Sequence, residues 1–272
     1  MKITLLFILT LSSLSCLAQT YSQKDFEAIQ LPQDRSTEWY KLDTSLDKAF
    51  SVAIINNKLV VRADTESVGK IYTLPEGRLM ALDMGEWVGG LTYKPNDSTL
   101  RYFYVNDKPD TLNNKYFNLK MFISKKDRIL NYFKGKQLRI IFGDIHQVFF
   151  YKDDVLLVEE VNDLEKDRGA ILNLSINKDI VKYTVMTEIN DAPHAIATYR
   201  YTIFVATLRG FYIVDNWKAK PIFESLSWYG LNPNSVAILD KEHVYVGMHC
   251  GYAMIDLSKK SLVFYKHKYN SN

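Results

Sequence analysis

Residues 230–257 read GLNPNSVAILDKEHVYVGMHCGYAMIDL, and SKKSLVFY carries the pattern on to Tyr265. Two apolar runs flank a tight polar turn. A glycine-led third run, a charged turn and a fourth run follow. β-Branched and aromatic residues suit a pleated, buried surface, and turn residues separate the runs. The stretch therefore predicts four antiparallel strands, the size of one β-propeller blade.

The outline recurs upstream. SVAIL (235–239), a turn, VYV (244–246), then Gly251 and Ile255 serve as the reference. HAIAT (194–198), IFV (203–205), Gly210 and Val214 follow it. So do QVFFY (147–151), VLLV (155–158), Gly169 and Leu172, with a longer polar loop. SVAII (51–55), LVV (59–61), Gly69 and Tyr72 give a further match. The starting positions 235, 194, 147 and 51 are separated by 41, 47 and 96 residues, the last being twice 48. Propeller blades repeat at about this spacing. One divergent unit is thus expected between residues 95 and 145.

Strand side chains alternate between two faces, and stacked blades cover both, so strands such as VLLV and IFV become apolar throughout. The glycine before each third strand suits a bulge or a positive φ. The predicted fold is all-β: a propeller of five four-stranded blades, with six as the alternative and a divergent blade or helical excursion around 96–136. Within that excursion, residues 117–133 carry apolar positions near helical spacing. Residues 19–45 read as an extended entry segment able to lend a closing strand to the last blade, with a single propeller domain over 46–272.

The 230–265 stretch resembles the repeat of bacterial sensor propellers of the two-component-regulator type, which are WD40/YVTN-like. Gly230, Leu231, Asn234, Val236, Val246, Gly247, Gly251 and Tyr265 match that repeat, while Tyr245 stands in place of its Trp and Met248 in place of its Thr. Residues 77–95, GRLMALDMGEWVGGLTYKP, also resemble a motif of exported bacterial propellers. The resemblance implies the fold and, more weakly, a sensing role. The histidine-kinase part of those sensors has no counterpart in these 272 residues.

The N-terminus reads as an export signal: Lys2, an apolar stretch over 3–14, then small residues to Ala18. Cleavage after Ala18 leaves Cys250 as the one cysteine of the mature chain, without an internal disulfide. Lipid anchoring through Cys16 is disfavoured, because Ser13 stands where a lipobox carries an aliphatic residue. The expected location is periplasmic or extracellular. Beyond the signal no run of eighteen apolar residues occurs, so no spanning helix is expected. Net charge is +3 with both signs interspersed, which disfavours nucleic acid as a partner. A monomer is expected.

His146 and His194 fall at the entry to first strands, and Asn234 takes the analogous place in the last repeat. Equivalent loops of a closed propeller surround one mouth of the channel, so these residues, with Trp228 and Asn232, are candidates for a ligand site. Asp83 and Glu86 beside Trp87 and Gly89-Gly90 form a second candidate, suited to a glycan or peptide. No His-x-His or Glu-x-x-His spacing is present, so neither a metal nor another cofactor is expected. The leading expectation is an exported non-catalytic binding or sensing propeller whose partner is a small molecule, glycan or protein. The alternative is an exported hydrolase or lyase acting on a glycan or peptide, with Glu86, Asp83 or a channel histidine as acid or base. No recognisable catalytic spacing supports that alternative.

Overall fold

The computed structural model describes residues 19–45, 48–64, 69–82, 89–97, 101–106, 132–134, 138–142, 144–161, 167–177 and 180–268. Five sheets, each built on an antiparallel blade and arranged in a ring, make a five-bladed β-propeller.

In chain order, β1 (Thr20–Tyr21), β2 (Phe26–Ile29) and the helix α1 (Thr37–Asp43) precede β3 (Ala49–Ile55) and β4 (Lys58–Asp64). The second blade uses β5 (Gly69–Leu74), β6 (Gly77–Leu82) and β7 (Gly90–Pro95). β8 (Arg101–Asn106), β9 (Tyr132–Lys134) and β10 (Leu138–Phe142) come next. The third blade is the meander β11 (Asp144–Tyr151), β12 (Asp154–Val161), β13 (Arg168–Asn177) and β14 (Ile180–Ile189). The fourth is β15 (Pro193–Tyr199), β16 (Thr202–Thr207), β17 (Phe211–Asp215) and β18 (Lys218–Phe223). The fifth is β19 (Ser235–Ile238), β20 (His243–Met248), β21 (Gly251–Asp256) and β22 (Ser261–His267).

The all-apolar strands have the predicted cause, since the cores lie between blades. On β12, Leu157 packs with Leu79 and Leu91 of the second blade, while Leu156 and Val158 pack with Ile196, Ile203 and Val205 of the fourth. On β16, Ile203 and Val205 face the third blade, while Phe204 and Ala206 join Val244 and Val246 of the fifth. Each side chain removed from water in this way contributes on the order of 1.5–3 kcal/mol before the entropy of ordering is subtracted. The repeated glycine is explained by close approach. A Cβ on Gly251, whose φ is +156°, would stand 2.0 Å from the Tyr265 carbonyl oxygen, and one on Gly210 would stand 2.7 Å from that of Phe223.

The entry segment closes the ring at two points. β2 pairs with β22 as a fifth strand of the last sheet, as expected, and β1 pairs with β4 in the first. The segment is not wholly extended: Ser36 caps α1 by accepting the Trp39 N–H, and the Trp39 indole N–H donates to the Ser227 carbonyl at 2.7 Å.

Two expectations for the first half need correction. Gly69 and Tyr72 do not supply the third strand of the first blade, because β5 pairs with β6 and opens the second. The N-terminal β1 occupies the place that β5 was expected to fill. The divergent blade therefore begins at Gly69, and β10 completes it beside β7. β8 lies parallel to β14 and extends the outer edge of the third blade, with β9 beyond it. Residues 107–131, which hold most of the stretch with helical spacing, lie outside the described residues.

Candidate functional site at the junction of the third and fourth blades

The hairpins β11–β12 and β15–β16 each close with a two-residue turn, so their registers can be compared directly. Counting back from Tyr151 and from Tyr199 sets His146 level with His194. Both are extra residues. In the third blade Ile145 faces Glu159 and Gln147 faces Val158, which leaves His146 without a cross-strand partner position. In the fourth, Pro193 faces Thr207 and Ala195 faces Ala206, which leaves His194 in the same situation. An extra residue of this kind forms a β-bulge, bending the strand and re-aiming the bulged side chain. Pro193 has no N–H to donate to the ladder and fits such an interruption.

The two bulges turn both imidazoles onto Glu160, near the end of β12. His146 Nε2 is hydrogen-bonded to Glu160 Oε2, and His194 Nε2 lies 3.5 Å from the same oxygen. The rings stack with centroids 4.6 Å apart and an interplanar angle of 18°. Side-chain exposure is 10% for His146, 13% for His194 and 6% for Glu160, enough for contact with solvent at one edge only.

Neighbouring residues fix this meeting of blades. Gly169, opposite Glu160 in the ladder, has no Cβ because one would lie 2.2 Å from Pro193 Cδ and 2.3 Å from the Glu159 carbonyl oxygen. Any side chain there would push the start of β15, and with it His194, away from Glu160. One residue past the first bulge, the Gln147 amide reaches across to the next blade. Its Nε2 donates to the Ile196 carbonyl at 3.2 Å and its Oε1 accepts the Ile196 N–H at 3.1 Å. Ser235 is level with Gln147 in the fifth blade, and its hydroxyl likewise accepts the N–H of Val52 in the first at 2.9 Å. On the other side of the site, Lys70 Nζ of the second blade approaches the His146 carbonyl at 3.5 Å.

Behind His194, Asp191 pins the linker between the blades. Its carboxylate accepts the N–H of Ala192 at 2.8 Å, the N–H of Arg209 at 3.0 Å and the Thr207 hydroxyl. Burial pushes its pKa above the ordinary carboxylate value, and the three donors oppose that rise without cancelling it. Burial, with the Asp191 and Glu224 charges added, pushes the nearby Tyr212 up to about 12.

Of the residues singled out in the sequence, His146 and His194 are brought together. Asn234 holds the equivalent register position in the fifth blade, but its side-chain oxygen turns to the Ser235 hydroxyl at 2.8 Å. Asn232 is exposed in a left-handed conformation, φ 48°, ending a 3-10 turn. Trp228 is fully buried and donates its indole N–H to the Thr207 carbonyl at 3.2 Å, so it packs in the core between the fourth and fifth blades. Asp83, Glu86 and Trp87 lie outside the described residues. His249 sits apart, its Nε2 3.0 Å from the Ser45 carbonyl.

Glu160 was not singled out by sequence reasoning. Its signal was the Glu159-Glu160 pair at the end of a strand otherwise apolar on both faces, where buried carboxylates are unusual. The expectation of no metal rested on local His spacing, which cannot register ligands drawn from different blades. Among the described residues, His146, Glu160 and His194 form a three-ligand group whose donor atoms lie within 4.8 Å of one another.

No protein-family model matches the chain, and no curated protein matches it. Several solved structures match the chain at low identity, two of them as follows. The tricorn protease matches over 80% of this chain at 9% identity with a TM-score of 0.35, and this chain spans 26% of its length. The AfRom2 CNH domain matches over 90% of both chains at 10% identity with a TM-score of 0.33.

Proposed function

We propose that the protein is an exported binding propeller that holds its ligand at the face where His146, Glu160 and His194 meet. The supporting observation is the pair of equivalent bulges. A bulge interrupts the ladder, and two of them at one register position direct two histidines to one buried carboxylate. Packing alone does not call for such a group, since burying a carboxylate is unfavourable unless it is compensated. The scaffold suits binding, because the blades form a rigid frame and the loops at each mouth are free to vary. Export is read from the Lys2-to-Ala18 signal pattern, and sensing from the repeat resemblance around Gly230 and Gly251. Among the described residues no helix is long and apolar enough to cross a membrane.

A thermal-shift screen of soluble glycans, peptides and small carboxylates tests this reading. Hits that raise the melting temperature of the wild type and are lost in His194→Ala support it. Hits that persist unchanged in His194→Ala place the ligand elsewhere and contradict it.

A further inference from the structure

We infer that His146, Glu160 and His194 form a binding site for one divalent first-row transition-metal ion, with Zn²⁺ the fitting probe. The inference deepens the proposed function and rests on it in one respect, that this junction is the functional face. The donor set is two imidazole nitrogens and one carboxylate oxygen. That combination is a common catalytic zinc set, leaving a fourth position for water or a ligand. Hard ions such as Ca²⁺ and Mg²⁺ require six or more oxygens, or several waters, and are not served by two imidazoles.

The geometry is near what the ion demands. Donor atoms around a tetrahedral zinc stand roughly 3.3 Å apart. His194 Nε2 and Glu160 Oε2 are already 3.5 Å apart and all the donor atoms lie within 4.8 Å of one another, while His146 Nε2, hydrogen-bonded directly to Glu160 Oε2, has to swing back from it to admit the ion. Charge also favours the ion. The imidazoles stack with centroids 4.6 Å apart, so one dication can draw on a nitrogen of each ring and offset the Glu160 charge. The frame is built before the ion arrives: the Gln147 clamp and the Gly169–Pro193 contact fix the third blade against the fourth, and the Asp191 pin ties the linker before His194 to the fourth blade. The histidine side chains are 10% and 13% exposed and the Glu160 side chain 6%, so a bound ion would be largely shielded from solvent. The competing arrangement is a shared proton, with one imidazolium held by Glu160 and the other ring neutral.

Calorimetric titration of chelator-treated full-length protein with Zn²⁺ alone decides between these. One site per chain is expected. His146→Ala and His194→Ala should each weaken it by more than roughly 100-fold, beyond the loss typical of residues that only orient a ligand. Glu160→Gln should weaken it less, because its amide oxygen remains a neutral donor. Co²⁺ bound in place of Zn²⁺ should give the intense visible absorption of four-coordination. Circular dichroism and melting of each chelator-treated variant establish that it is folded, and His249→Ala, a histidine that lies apart from the junction, should keep Zn²⁺ affinity within a few-fold. Absence of Zn²⁺ binding in the wild type overturns the metal site, as does binding that survives both histidine substitutions. Loss of the metal inference alone leaves hits sensitive to His194→Ala standing. Zn²⁺ binding with hits insensitive to His194→Ala upholds the metal and sinks the ligand reading.

Discussion

His146 and His194 occupy one register position in two neighbouring blades, each as the extra residue of a bulge, and their rings stack 4.6 Å apart. Equivalent positions of adjacent blades are normally kept apart by the core between them. Here the bulges and the missing side chain of Gly169 let the two strands converge at one end, over Glu160. The first blade carries Phe50 at this level, fully buried in an uninterrupted ladder, and shows what a packing residue does there.

The clamp holding these strands should be measurable. Gln147→Ala leaves both the N–H and the carbonyl of Ile196 without the amide that now satisfies them. A loss of about 1–3 kcal/mol is expected in urea denaturation. A change inside about 0.5 kcal/mol would mean the amide contributes nothing beyond what water supplies.

Trp228→Ala should destabilise the fold by about 3–5 kcal/mol, the range for removing a large buried aromatic. The melting temperature should fall by several degrees with no ligand present. An unchanged melting temperature would put the indole at the surface and restore it as a binding residue.

The last three blades were legible in the sequence because inner strands such as β12 and β16 are apolar on both faces and the hairpins β11–β12 and β15–β16 are short. VLLV at 155–158 and IFV at 203–205 repeat at a spacing that leaves little freedom of register. The first two blades were misdivided at Gly69, since β5 looks like a third strand and nothing local reports that the distant Thr20–Tyr21 pairs with Val61 and Arg62 instead. The site was half legible. His146 and His194 stood out at strand entries, but Glu160 is fourteen residues from one histidine and thirty-four from the other, and only the pairing of β11 with β12 and the stacking of blades bring the three together. Trp228 was misjudged because a tryptophan at a strand entry reads the same whether it covers a ligand or the core.

Asp191 gives a pH dependence of definite sign. Its folded pKa is raised, so between the unfolded value and the folded one the native state binds more protons than the unfolded chain. Its contribution to stability is therefore full below the unfolded value and declines as pH rises through the folded one. Asp191→Asn does not titrate, and it sets an NH₂ group against at least one of the N–H groups of Ala192 and Arg209. The variant should be less stable by about 1–3 kcal/mol at neutral pH. The gap to wild type should widen as the pH is lowered from 7 towards 4.5. A gap that narrows on acidification would show the carboxylate held below its ordinary pKa.

Intact-mass analysis of the protein recovered from the cell envelope or medium checks the export reading. A chain beginning at Gln19 is expected. An acylated chain beginning at Cys16 would make the protein lipid-anchored, and a full-length chain beginning at Met1 would remove export altogether.

The most direct measurement is an anomalous difference map from crystals soaked in Zn²⁺, collected on both sides of the zinc absorption edge. The three-ligand site requires a peak at the junction of the third and fourth blades, about 2.0–2.2 Å from His146 Nε2, His194 Nε2 and a Glu160 carboxylate oxygen. A map with no peak there, and with His146 still hydrogen-bonded to Glu160 at full Zn²⁺ loading, would show that the bulges hold a shared proton rather than a metal ion.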